Sequence, residues 1–112
     1  MFAVVEAVYK SLKMEEILAT GGDFKVFEDM QLLGIAESER EAIAIVDKET
    51  QIIELQVKPV GGYINKIQTV SKYNHNNFTI SAYDGNDKLR YIYDIYILEN
   101  DGSNWKKVLQ NE

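Results

Sequence analysis

The stretch from Asn77 to Leu98, NFTISAYDGNDKLRYIYDIYIL, constrains the fold more than any other. Two runs of alternating apolar and polar residues flank Asp84-Gly85-Asn86-Asp87. Alternation with a period of two marks a strand with one buried face, and Gly-Asn suits the positive φ of a tight hairpin loop. A loop at Gly85-Asn86 predicts Ala82 opposite Leu89, Ile80 opposite Tyr91 and Phe78 opposite Tyr93. Ile95 and Ile97 continue that apolar face. Thr79, Ser81, Tyr83, Arg90, Asp94 and Tyr96 fall on the other, because side chains alternate along a strand.

The rest of the chain is expected to extend this sheet. Phe2 to Tyr9 is rich in Val with apolar residues on both faces: either a buried strand or the first turns of a helix using Val4, Val5, Val8 and Leu12, with strand preferred because that stripe loses phase after Leu12. Ser11 is placed to cap a short helix over Leu12 to Thr20, with Met14, Ile17 and Leu18 as its stripe and Gly21-Gly22 as its end. Short strands are expected at Phe24 to Phe27 and at Gln31 to Ala36, with Gly34 at a bulge. Ser38-Glu39-Arg40-Glu41 has the spacing of a capping box. The alternation that follows favours a turn there instead, and a second hairpin over Glu41 to Lys58. With a loop at Lys48-Glu49-Thr50, Ile45 opposes Ile53 and Ile43 opposes Leu55.

Pro59-Val60-Gly61-Gly62 ends that hairpin. Tyr63 to Tyr73 carries both signals: Ile64, Ile67 and Val70 sit three apart as in a helix, while the β-branched content and the flanking Gly-Gly favour a strand. Asn74 to Asn77 is a turn, and Asn100 to Asn104 a last loop that places Trp105 opposite Ile97 and Leu109 opposite Tyr93. The predicted fold is one domain over residues 1–112, mainly β. It is an antiparallel meander of seven or eight short strands, forming a curled sheet or small barrel with one short N-terminal helix.

Composition limits function more than it names it. The chain is 46% apolar and 27% charged, an ordinary globular balance. It has no cysteine, which excludes disulfides, thiolate metal sites and cysteine nucleophiles. MFAVVEAVYK has no basic region before its apolar residues, and Glu6 interrupts them, so it is neither a signal peptide nor a spanning helix. A cytoplasmic protein without membrane contact is the expectation. The net charge of −6 lies in the first half: residues 1–56 carry twelve acids against five bases. Such a surface repels phosphate backbones and argues against direct nucleic-acid binding.

The motifs that resemble sites are explained by structure. His75, the only histidine, sits in an Asn-rich turn with no group to orient it as a base. The Asp84 to Asp87 and Asn100 to Gly102 loops lack the frame and terminal glutamate of a calcium loop. Gly21-Gly22 precedes Asp23, which repels phosphate, so it is no phosphate cradle. The acidic pairs at Glu15-Glu16 and Glu28-Asp29, and the alternating Glu37, Glu39 and Glu41, have no diagnostic spacing. No catalytic residues, metal ligands or cofactors are assigned.

The aromatic supply is the positive signal. Tyr91, Tyr93 and Trp105 go to the core face, leaving Tyr83, Ile92, Tyr96 and Leu98 on the other. That face is either a second covered layer or a contact surface. As a surface, its acidic surround of Asp84, Asp87, Asp94 and Glu99 suits a basic partner. The candidate binding residues are therefore Tyr83, Asp84, Asp87, Asp94, Tyr96 and Glu99.

The leading expectation is a non-enzymatic protein-binding domain, an inhibitor or immunity-type protein that blocks a basic nucleic-acid-handling protein or toxin. Richness in Ile, Lys, Asn and Tyr associates such a chain with AT-rich phages and mobile elements. The alternative is a small-molecule or nucleotide-sequestering β-barrel with a cavity among Tyr91, Tyr93 and Trp105. Two further options are a carboxylate-pair enzyme, marked by two acids converging in a cleft, and a homo-oligomer paired at sheet edges.

Overall fold

A computed structural model describes residues 1–12, 14–19, 21, 25–70 and 76–99. The elements in chain order are β1 (Phe2–Ser11), the six-residue α1 (Met14–Ala19), β2 (Lys25–Ala36), α2 (Glu39–Val57), a 3-10 turn at Lys58–Val60, β3 (Tyr63–Val70), β4 (Asn76–Tyr83) and β5 (Leu89–Glu99). The five strands form one open antiparallel sheet in the order β2-β1-β5-β4-β3. The chain is mainly β, as expected. Among the described residues there are five strands rather than seven or eight, and their sheet is not closed into a barrel. Nor is a short N-terminal helix the main helical element, since that role falls to the 19 residues of α2.

The largest correction is Glu41 to Lys58, which is helix and not hairpin. Ser38 is the N-cap: its Oγ accepts from the Glu41 backbone N–H at 3.2 Å. The Glu41 carboxylate in turn accepts from the Glu37 N–H at 3.1 Å. This is close to a capping box, one residue longer on its return bond. Ala42, Val46 and Ile53 are buried beneath the helix, with Val57 packed beside them. Those positions recur at helical spacing. Leu55, one of the alternating residues, faces outward and is exposed, as is Ile52.

Helix α2 covers one face of the sheet. Val4, Phe78, Ile80, Ala82, Ile95 and Ile97 supply the sheet side of that core, and Phe2, Ile64 and Tyr93 pack around it. Burying residues the size of Ile53 or Ile80 is worth about 1.5–3 kcal/mol each, so this face carries most of the fold's hydrophobic stabilisation. β1 is an inner strand, which explains apolar residues on both its faces. Ala3 and Val5 form a second buried cluster on the opposite face with Leu98, against Met30 and Tyr96.

The central hairpin keeps its predicted faces but not its register. Phe78 pairs with Ile95, Ile80 with Tyr93 and Ala82 with Tyr91, two residues beyond the prediction. A slip of two preserves every side chain's face. The loop is longer than expected. Asp84 N–H donates to the Lys88 carbonyl at 2.9 Å, and the Asp84 carboxylate accepts from the N–H groups of Asn86 and Lys88. The residue with positive φ is Asp87, not Gly85 or Asn86. Gly85 is needed for closeness: a Cβ there would lie 2.9 Å from the Val60 carbonyl.

In β2 the two predicted runs are parts of one strand. Register shifts opposite Val4/Val5 and Val8/Tyr9 leave Leu33 and Glu28 as the extra residues, so the first bulge adjoins Gly34. Gly34 also lies under the helix, where a Cβ would approach Ile45 Cδ1 to 3.0 Å. Tyr63–Val70 is a strand, as read from its β-branched content. The His75 turn, the Asn100 to Asn104 loop, Trp105, Leu109 and the Gly22 end of the predicted helix lie outside the described residues. No helix among the described residues is long and apolar enough to cross a membrane.

Candidate functional site

The face of the sheet away from α2 carries an open groove of about 580 Å³. β1 contributes Ala7 and Tyr9, β2 contributes Lys25, Phe27 and Met30, and β5 contributes Asp94 and Tyr96. Register brings them together. Tyr9 pairs with Phe27 on one side and Ile92 on the other, and Ala7 pairs with Met30 and with Asp94. The Tyr9 and Phe27 rings meet edge to face at 5.8 Å. A smaller cavity of about 140 Å³ adjoins, lined by Thr69, Asn77, Thr79, Asp94 and Tyr96 among others. Asp94 and Tyr96 thus belong to both.

Asp94 is the polar centre of this face. Its Oδ1 accepts from Thr79 Oγ1 at 2.9 Å, directly across the β4–β5 pair. Its Oδ2 lies 3.9 Å from Lys25 Nζ. That ammonium also sits 4.3 Å from the centre of the Tyr9 ring, a cation–π arrangement. Asn77 Oδ1 is buried with no hydrogen-bond partner among the described residues.

The six predicted binding residues do not form one patch. Asp94 and Tyr96 share the groove. Tyr83 is at the end of β4, stacked on Tyr63 with ring centres 4.9 Å apart. Asp84 and Asp87 are in the adjoining loop, where backbone N–H bonds from Asn86 and Lys88 hold the Asp84 carboxyl below its usual range. Asp87 stands beside the Tyr63 hydroxyl, which desolvation and then that carboxylate push upward. Glu99 is at the far end of β5, paired with Phe2. At about 3.3 Å per residue, β5 separates the loop from Glu99 by roughly 30 Å. Of the companion apolar residues, Ile92 and Leu98 are buried, while Tyr83 and Tyr96 are half-buried.

A second constellation lies under the helix and was missed as a pair. Glu6 on β1 is 2% exposed. Gln31 Nε2, from the neighbouring β2 position, donates to its Oε1 at 3.0 Å. Its Oε2 has no donor and faces Glu49 of α2. Two carboxylates cannot share a hydrogen bond unless one is protonated. Burial first, then Glu49, pushes the Glu6 carboxyl up to about 8. Tyr93 nearby is pushed up to about 12, by burial and then by Glu6, Tyr91 and Glu49. The sequence signals were Glu6 within an apolar strand and Glu49 on the helical stripe of Ala42, Val46 and Ile53.

No group of three or more acidic or histidine side chains suited to a metal ion occurs among the described residues. Tyr91 and Tyr93 are 6.3 Å apart on the helix side, and Tyr93 packs into the core. The groove is on the opposite face from that expected tyrosine cavity. No protein-family model matches the chain, and no curated protein or solved structure is significantly similar to it.

Proposed function

We propose that this chain is a small acidic, non-enzymatic binding protein that acts by protein–protein contact through the groove on the face of its sheet away from α2. The partner is a protein with a basic surface. An inhibitor or immunity-type role against a nucleic-acid-handling protein or toxin fits that chemistry. The observation that carries the reading is the open groove in which Asp94 and Tyr96 stand beside Tyr9, Phe27 and Met30. Aromatic anchors and Met around an oriented charge are the composition of energetic centres in protein interfaces. The net charge of −6 adds long-range attraction for a basic partner.

Affinity capture from host lysate at low and high salt, with the mass of the purified protein by size exclusion, tests this. A stoichiometric partner held at low salt and released at high salt is expected. Absence of a partner together with a defined homo-oligomer would contradict the reading and favour sequestration of a small molecule or a structural role. The bulges opposite Val4/Val5 and Val8/Tyr9 interrupt the β2 edge, which weighs against pairing of copies along it.

A further inference from the structure

We propose that the groove is a receptor for one basic side chain of the partner, a lysine ammonium or an arginine guanidinium, and that Lys25 fills it from within the chain until the partner arrives. This rests on the reading that the sheet face away from α2 meets a basic protein. It adds the chemistry of the contact and a competitor built into the chain.

The acceptors define the ligand. Asp94 uses Oδ1 for the Thr79 hydroxyl, which fixes the carboxylate and turns Oδ2 toward Lys25. Asn77 Oδ1 in the adjoining cavity has no donor among the described residues. A site with an oriented carboxylate and an orphan buried carbonyl calls for a ligand that brings N–H donors and positive charge. A phosphate or carboxylate would bring more acceptors and be repelled by Asp94. A purely apolar ligand would leave the Asp94 charge without a cation and offer Asn77 Oδ1 no donor. The Tyr9 ring supplies the face over which a cation rests, and Lys25 Nζ already lies 4.3 Å from its centre.

Lys25 is a replaceable occupant. It is the first residue of β2, at the edge of the sheet, and its side chain is 34% exposed. Its contact with Asp94 is 3.9 Å, the outer limit of an ion pair. A partly exposed pair of that length contributes little. A partner's basic side chain that reaches both Asp94 and Asn77 competes with Lys25 for the groove and displaces it from Asp94.

The test is an amide chemical-shift titration of the full chain with Nα-acetyl-lysine methylamide and with its Nε-acetylated, uncharged form. The charged compound should give saturable shifts at Asn77, Thr79 and Asp94, and the acetylated one should give none. Lys25→Ala should tighten binding about fivefold, by removing an exposed ion pair and cation–π contact. Lys25→Met, which keeps the apolar stem, should do the same. Asp94→Asn should abolish the saturable shifts while the spectrum stays dispersed. Equal shifts from both compounds, or unchanged affinity in both Lys25 variants, would overturn the inference. So would a lysate partner that depends on Asp94 while neither Lys25 variant changes probe binding, a result that leaves the protein-contact reading standing.

Discussion

Glu6 on β1 and Glu49 on α2 are neighbouring carboxyl groups beneath the helix, and after burial it is Glu49 that does most to keep a proton on Glu6. Asp29 adds further negative charge from β2, and Glu28 and Glu49 join Glu6 around Tyr93 on β5. Gln31 is the neutral donor that completes the cluster.

A pH dependence of stability follows. Glu6 is raised from 4.5 to about 8 in the folded chain, so between those values the unfolded chain has released its proton and the folded chain still holds it. The fold binds more protons than the unfolded chain there, and stability falls as pH rises through that window. The loss is of order a few kcal/mol. Denaturant melts at pH 5 and pH 8.5 should show it. Glu6→Gln keeps the acceptor for Gln31 and gains a donor for Glu49. It should flatten the slope and be the more stable protein at pH 8.5. An unchanged slope in Glu6→Gln would rule out this pair as the source.

Ser38 tests the helix that replaced the expected hairpin. Its hydroxyl satisfies the Glu41 N–H. Ser38→Ala should cost about 1 kcal/mol, the usual loss of an N-cap. Urea unfolding followed by helix circular dichroism measures it. Ser38→Asp should retain most of the stability, since a carboxylate also caps a helix N-terminus.

Gly62 should be the least tolerant glycine. A Cβ there would collide with the Tyr83 carbonyl and crowd Val57. Gly62→Ala should lose roughly 2 kcal/mol or more through backbone displacement. At Gly21 a Cβ meets nothing within 4 Å, and only its φ of 83° opposes substitution. Gly21→Ala should therefore cost about 1 kcal/mol. Thermal melts of the two variants give the ordering directly.

The faces of the central hairpin were legible because alternation alone assigns them. Its register was not, because Gly85-Asn86 suggests a two-residue loop, whereas the Asp84 carboxylate builds a longer one that reaches Lys88. The α2 segment offered conflicting signals. Ser38 and Glu41 announced a helix, while Ile43, Ile45, Ile53 and Leu55 alternated as in a strand. Helix packing decided the outcome, burying Ala42, Val46 and Ile53 and leaving Leu55 outside.

Within the candidate site, Asp94 and Tyr96 were readable from the hairpin pattern. Tyr9, Lys25, Phe27 and Met30 were not, because the pairing of β1 with both β2 and β5 joins segments far apart in sequence. Asp84, Asp87 and Glu99 were grouped with them by sequence proximity and sign of charge. The length of β5 sets the loop and Glu99 at opposite ends of the strand.

The most direct test of recognition through the groove compares Asp94→Lys with the double variant Asp84→Lys/Asp87→Lys in partner capture at matched salt. The double variant removes more acidic charge. Asp94→Lys removes the groove's carboxylate. The account predicts at least a tenfold loss of partner affinity in Asp94→Lys, about 1.4 kcal/mol, and a smaller, salt-sensitive loss in the double variant. Full retention of the partner by a folded Asp94→Lys protein would contradict it.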